Sequence, residues 1–413
     1  MEKLRIVVSG FIGLFPTGGV TWDYIQYPLG LKLMGHDVYY IEDTFQFPKF
    51  QTDGRKWDDA TDSINYLQST MEFFGFGERW AYRDIASSKC YGLSLKQLLE
   101  ICETADVFIN ISASACMRDE YLKIPKRVLV DTDPMFTQIE YLSQEEKNTI
   151  GDHDKMDFII KNHNYLFSFG ENIGNENCQI PTLGFNWNTT RQPICLKQWA
   201  NNKNCESNSF FSTIMNWSVN PDLTYFGKLW GQKNLEFEKI MAVPRMLASS
   251  TFKVMISNLP DHTKALIQNA GWNILDPMEE IKGAEPYRKF INDSFAEFSV
   301  AKHTYVQSNS GWFSCRSACY LAAGKPVITQ ETGWSDFIPD GAGLISFTDE
   351  ASAIEALIKV NENRNYHSRM ATEIAVEYFD SFKILEDMLF KINDSSFEKT
   401  IKISENIFHA AGK

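Results

Sequence analysis

The chain has 413 residues and no run of 18 or more apolar residues, so no membrane-spanning helix is expected. It also lacks the G-x-G-x-x-G order of a dinucleotide loop. After the first apolar run, Gly10-Phe11-Ile12-Gly13 is followed by Pro16 and Gly18-Gly19, which counts against an NAD- or FAD-dependent oxidoreductase. Eight cysteines show no C-x-x-C spacing and read as reduced, mostly buried thiols. His153 and His163 have no third ligand at a matching spacing, so no metal is expected. Positive charge is short as well: 40 Lys and Arg stand against 53 Asp and Glu, for a net charge of −13. That field repels phosphate backbones and anionic lipid, which leaves nucleic acid only as a modified-base acceptor in a local basic groove. No short-period repeat or low-complexity tract is present. MEKLRIVVSGFIGLF has no small-residue cleavage site behind its apolar run and reads as a first strand, so the expected location is the cytoplasm.

What is present is alternation. LRIVVSG (4–10), a helical pattern over 21–34 and GHDVYYIED (35–43) form a strand–loop–helix–strand unit. LSLKQLLEICETADVFINIS (93–112) reads as helix then strand, and KRVLVDTDP (126–134) as a strand ending in acids. The segment 44–90 is irregular and rich in aromatics (Phe45, Phe47, Phe50, Trp57, Phe73, Phe74, Phe76, Trp80) and is expected to form a binding wall. After the polar WANNKNCESNS the grammar restarts with FFSTIMNW (210–217), FKVMISN (252–258) and WNILDP (272–277). A helix over 287–298, a strand TYVQSN (304–309), a helix over 314–323, KPVITQ (325–330) and LISF (344–347) follow. The pattern predicts an α/β protein of two Rossmann-like domains, each with a parallel sheet. Their expected bounds are 1–198 and 210–375, with a linker at 199–209 and a helical tail over 376–413 packing back on the first domain.

Ligands of open parallel sheets lie outside the carboxyl ends of strands, and anions favour helix N-termini. Ser310-Gly311-Trp312-Phe313-Ser314 opens the 314–323 helix, and Arg316 stands in its first turn, where the dipole disfavours a cation. A phosphate facing that turn accounts for both. Gly-Lys-Pro-Val (324–327) and Gln330-Glu331-Thr332-Gly333 come next, the latter polar groups suited to sugar hydroxyls.

These segments, with LFPTGGVTW and LKLMGHDVYYIED in the first half, resemble glycosyltransferases of the GT-B fold, of the bacterial group 1/family 4-like kind. The resemblance implies two domains facing across a cleft. It implies metal-independent transfer of a sugar from a UDP-, GDP- or dTDP-sugar to an acceptor in that cleft, with no other cofactor. Donor phosphates would be held by Gly18, Gly19, Lys228, Lys233, Ser310, Gly311, Trp312, Ser314 and Arg316, and the sugar by Gln330, Glu331, Thr332 and Gly333. Asp131, Asp133 and Asp23 are the candidate catalytic acids, of which Asp131 and Asp133 stand at the carboxyl end of a strand. Glu297 reads as a helix acid. The chain departs from many retaining members, whose paired glutamates are replaced by Gly311 and Cys319. Competing expectations are a non-catalytic nucleotide-sugar-binding relative, an NDP-sugar epimerase, and the oxidoreductase.

Overall fold

The structure is a computed structural model and describes residues 2–49, 58–143, 155–200, 210–218, 222–225 and 227–400. Of the expected linker, 199–209, all but Trp199 and Ala200 lies outside the described residues, as do Phe50, Trp57 and His153, and Trp199 ends the short helix Leu196–Trp199.

The first half builds one sheet from β1 (Arg5–Ser9), β2 (Asp37–Glu42), β3 (Trp80–Arg83), β4 (Cys90–Gly92), β5 (Val107–Ile111), β6 (Lys126–Asp131), β7 (Tyr165–Ser168) and β8 (Asn188–Thr189). Its order is β4-β3-β2-β1-β5-β6-β7-β8, parallel except for β3 against β4. The strands read as unbroken apolar runs because both faces of a parallel sheet are covered: Ile6, Val7, Val8, Phe108, Ile109, Val128 and Leu129 are all buried. The second half contains β9 (Phe210–Asn216), β10 (Leu223–Tyr225), β11 (Lys228–Trp230), β12 (Thr251–Ser257), β13 (Trp272–Leu275), β14 (Ala296–Ser299), β15 (Val327–Gln330) and β16 (Leu344–Phe347). Six of these form an all-parallel sheet of order β13-β12-β9-β14-β15-β16, and β10 and β11 pair as an antiparallel hairpin.

The chain reverses direction of travel between β1 and β5 in the first sheet and between β9 and β14 in the second. The crevices at such switch points are where open α/β sheets hold ligands. Helix Ser381–Lys391 returns to the first domain. Ile194 pairs with Asp380, and a Cβ on Gly30 of the first helix would meet Leu385 at 2.5 Å.

Three expectations need correction. TYVQSN is not a strand: His303–Gln307 is a helical turn, and the strand beside β9 is Ala296–Ser299. The helix expected over 287–298 spans Ala284–Asp293 and ends where Ser294 turns its backbone extended, so Glu297 lies on a strand. The aromatic segment contributes mainly to the core, since Phe74, Phe76 and Trp80 are buried and Trp80 belongs to β3.

Candidate functional site

The two carboxyl edges meet at a seam. The first helix, Gly18–Leu33, is capped by Thr17, whose hydroxyl accepts from Val20 N at 3.4 Å, and it lies against helix Ala284–Asp293 of the second domain. Gly18 is required by this approach, because a Cβ there would sit 2.3 Å from the Gly283 carbonyl and 2.5 Å from Tyr287 Cβ. Gly19 faces the Tyr287 ring at 3.4 Å. Both glycines therefore serve interdomain packing. Trp22 Nε1 donates to the Ala284 carbonyl at 2.9 Å across the same seam.

The loop after the helical turn His303–Gln307 is likewise taken up by the seam. Ser310 is fully buried, and its carbonyl accepts from Asn172 N at 3.0 Å. Gly311 adopts φ +73°, donates to the Thr332 carbonyl at 2.7 Å, and leaves no room for a side chain beside Asn172 N. Trp312 stacks on Tyr305 with centroids 4.3 Å apart and donates from Nε1 to the Thr132 carbonyl at 3.1 Å. The neighbouring Gln330–Gly333 loop is also internally engaged. Gln330 is buried and donates to Glu236; Glu331 Oε1 accepts from Thr332 N and Gly333 N at 3.0 and 2.6 Å; Thr332 Oγ1 donates to the Trp312 carbonyl at 2.6 Å. Gly333 takes φ +93° and accepts from Asn172 Nδ2 at 3.4 Å.

What remains is a charged cluster. Arg316 is buried in the first turn of helix Cys315–Ala322; its Nε donates to Glu297 Oε1 at 2.5 Å and its Nη1 to the Ile214 carbonyl, at the end of β9, at 2.6 Å. Lys233 begins helix Lys233–Ile240, which follows β11, and its ammonium lies within the fields of Arg316, Lys302, Glu297 and Asp133. Burial, then the Arg316 and Lys302 charges, hold that ammonium well below the ordinary lysine value. Lys302, just beyond β14, pairs with Asp133 of the first domain. The amides of Arg316 and Ser317 have no acceptor among the described residues, and the buried Ser317 hydroxyl has no partner.

On the first-domain side, Asp23 stands in the second turn of its helix and not at the N-terminus. Burial pushes its carboxyl up to about 7, against the pull of Arg316 and Lys233, and the Cys315 thiol is within hydrogen-bonding reach. Tyr24 donates to Ser112 Oγ at 3.0 Å, which lies 2.5 Å from Thr132 Oγ1, giving a row of hydroxyls on this wall. Asp133 keeps half of its side-chain surface exposed. Burial alone raises its carboxyl, but Lys302 and Tyr305 outweigh that and hold it below the usual range.

Asp131 is elsewhere. It is buried in the first domain and accepts from Thr137 Oγ1 (2.7 Å), Gln138 Nε2 (3.1 Å), Ser168 Oγ (3.0 Å) and Asp133 N (3.2 Å). Lys228 sits on the hairpin and donates to Gln179 of the first domain. Cys319, where many related enzymes carry a glutamate, is buried against Gln26 Nε2 at 3.9 Å. Of the predicted residues, the structure thus brings together Asp23, Asp133, Lys233 and Arg316. Sequence reasoning missed Lys302, Tyr305, Cys315 and the strand position of Glu297. The one local signal was Lys302 itself, a cation directly behind an apolar segment.

Among the described residues no group of three or more His, Cys, Asp or Glu is placed to hold a metal ion, and no helix is long and apolar enough to cross a membrane. A pocket of about 320 Å³ lined by Lys197, Gln198, Arg288 and Asp293 shares no residue with the cluster.

No protein-family model and no curated protein matches the sequence. Solved structures do resemble the fold. An α-glucosyltransferase in complex with UDP and a 13-mer DNA containing an HMU base superposes with a TM-score of 0.60 at 11% identity, over 95% of this chain and 100% of that one. HepE from Anabaena in complex with UDP-glucose gives 0.55 at 10% identity, over 94% and 99%. A glycosyltransferase from Rickettsia africae gives 0.51 at 12% identity, over 96% and 99%. With these likenesses spanning both sheets and the seam between them, the chain has the GT-B fold, two Rossmann-like α/β domains facing each other across a cleft.

Proposed function

We propose that the chain is a glycosyltransferase whose donor diphosphate is held by Lys233, Lys302 and Arg316. The observation that carries this reading is the convergence of those cations at the β9/β14 switch point, opposite a first-domain wall that presents Asp23. The unaccepted amides of Arg316 and Ser317 add donors of the kind that phosphate oxygens take up at a helix N-terminus. UDP is the first nucleotide to test, because similar folds were solved with UDP or UDP-glucose.

In this reading an acceptor hydroxyl forms a bond to the anomeric carbon as the bond from that carbon to the diphosphate oxygen breaks. The leaving nucleoside diphosphate carries the electron pair, and the lysines and Arg316 stabilise its charge. The acceptor proton passes to Asp23, whose raised carboxyl suits a base working near neutral pH. Asp131 takes no part, since its oxygens are committed within the first domain.

The test is a thermal-shift panel of UDP, GDP, ADP, dTDP and their sugar conjugates, followed by assay of free nucleotide released from the conjugate that binds. A ligand at a hundredfold excess over its Kd stabilises by about 2.7 kcal/mol, enough to read. Binding with slow release of nucleotide into water supports a transferase. Binding with no release supports a non-catalytic relative, and no binding contradicts the reading.

A further inference from the structure

Glu297 is the one acid of the cluster that comes from the same half of the chain as the cations, and its surroundings are unusual for a carboxylate. It is fully buried on β14, between β9 and β15. Its Oε1 takes the Arg316 Nε at 2.5 Å, while Oε2 is buried with no hydrogen-bond partner. A buried ion pair is a poor source of stability, because desolving both charges offsets most of their attraction. A half-satisfied buried carboxylate is poorer still. Stability therefore does not explain why an acid stands at this point of the strand.

Geometry does. An arginine in the first turn of a helix is opposed by the helix dipole and has many rotamers open to it. Here the guanidinium is fixed at two points on different sides of its plane's outline, Nε on Glu297 and Nη1 on the Ile214 carbonyl, which leaves Nη2 between them. No hydrogen bond joins Nη2 to a described residue. The guanidinium fixed in this way shares the cluster with Lys233, and its charge acts on Asp23. The planar fork makes the arrangement specific to arginine, since an ammonium has a single nitrogen and none to present separately.

Resting on the donor-diphosphate reading above, we infer that Glu297 is a positioning residue: it clamps Nε of Arg316 so that the free Nη2 of the guanidinium meets a phosphate oxygen of the donor. It touches no substrate itself. Acting through Arg316, it sets donor affinity, and its removal is felt only where Arg316 is present.

A double-mutant cycle on the full chain tests this, with UDP affinity measured by calorimetry for wild type, Glu297→Gln, Arg316→Ala and the double variant. The expected result is about a tenfold loss for Glu297→Gln in the wild-type background and less than a twofold loss on top of Arg316→Ala, with a smaller loss for Glu297→Asp, which keeps the clamp. Equal losses in both backgrounds, or no loss in either, overturn the inference while leaving the donor reading intact. If wild type binds none of UDP, GDP, ADP and dTDP, the donor reading fails and the inference with it. Should Glu297→Gln not fold, Arg316→Lys supplies the test, because a clamped fork predicts a loss as large as that of Arg316→Ala. Near-wild-type affinity in Arg316→Lys overturns the inference.

Discussion

Asp133 of the first domain accepts from Lys302 and from Tyr305 of the second domain through a single oxygen, Oδ1. The acid thereby sits on one of the cations assigned to the donor. Half of its side-chain surface is exposed, so the pair itself is worth at most about 1 kcal/mol.

Asp133→Asn is accordingly expected to lower stability by no more than about 1 kcal/mol and to tighten binding of a nucleoside diphosphate, since Lys302 is released to the ligand. Calorimetry alongside chemical denaturation reads both effects. Weaker binding in the variant would mean that Asp133 supports the donor site and does not compete for it.

Asp23 makes a pH prediction with a definite sign. As a base it must be ionised, so kcat should fall as pH drops below about 7. In stability the same group acts in reverse. Its folded carboxyl binds a proton up to about 7 while the unfolded one has lost it near 3.8, so the folded state holds more protons in that window. Stability should decline as pH rises from about 4 to about 7, and Asp23→Asn should flatten part of that slope. Glu42, buried and also pushed up to about 7, contributes in the same direction. A pH–rate profile unchanged in its acid limb by Asp23→Asn would remove Asp23 from catalysis.

Gly311→Ala places a methyl group 2.8 Å from Asn172 N and on a residue with φ +73°. Strain of this kind costs on the order of 1–3 kcal/mol. Because the clash lies across the seam, the variant should relieve it by parting the domains. Small-angle scattering should show an increased radius of gyration, and an unchanged profile with full stability would contradict the close packing described for this loop.

Asp131→Ala is expected to cost about 3 kcal/mol or more, the signature of a broken buried network, because it strands Gln138 and Ser168 without their acceptor. Asp131→Asn should lose less stability and retain transferase activity. Complete loss of activity in a stable Asp131→Asn protein would place this acid in the chemistry after all.

Much of the fold could be read in the sequence because parallel strands covered on both faces appear as short apolar runs between helical periods, as LRIVVSG and FKVMISN do. The errors fell where local preference and packing disagree. Tyr305 and Val306 look like strand residues, yet Thr304 donates to the Gly231 carbonyl and Tyr305 to Asp133, contacts that favour a helical turn. AEFS is only four residues long and follows a helix directly, so no pattern separates it from that helix. The site was harder still. Lys302 and Asp133 are 169 residues apart and meet only when both sheets and the seam have formed. The resemblance places Gly18, Gly311 and Gly333 against a ligand; in the structure the group that comes close to each belongs to the other domain.

The most direct test of the donor site is calorimetric titration of UDP into wild type, Lys233→Ala, Arg316→Ala and Lys228→Ala, each first shown to be folded. Charge-assisted hydrogen bonds are worth about 1.5–3 kcal/mol, so the account predicts at least about a tenfold loss in the first two variants and wild-type affinity in Lys228→Ala. Equal affinity in all four proteins, or a loss confined to Lys228→Ala, would contradict it.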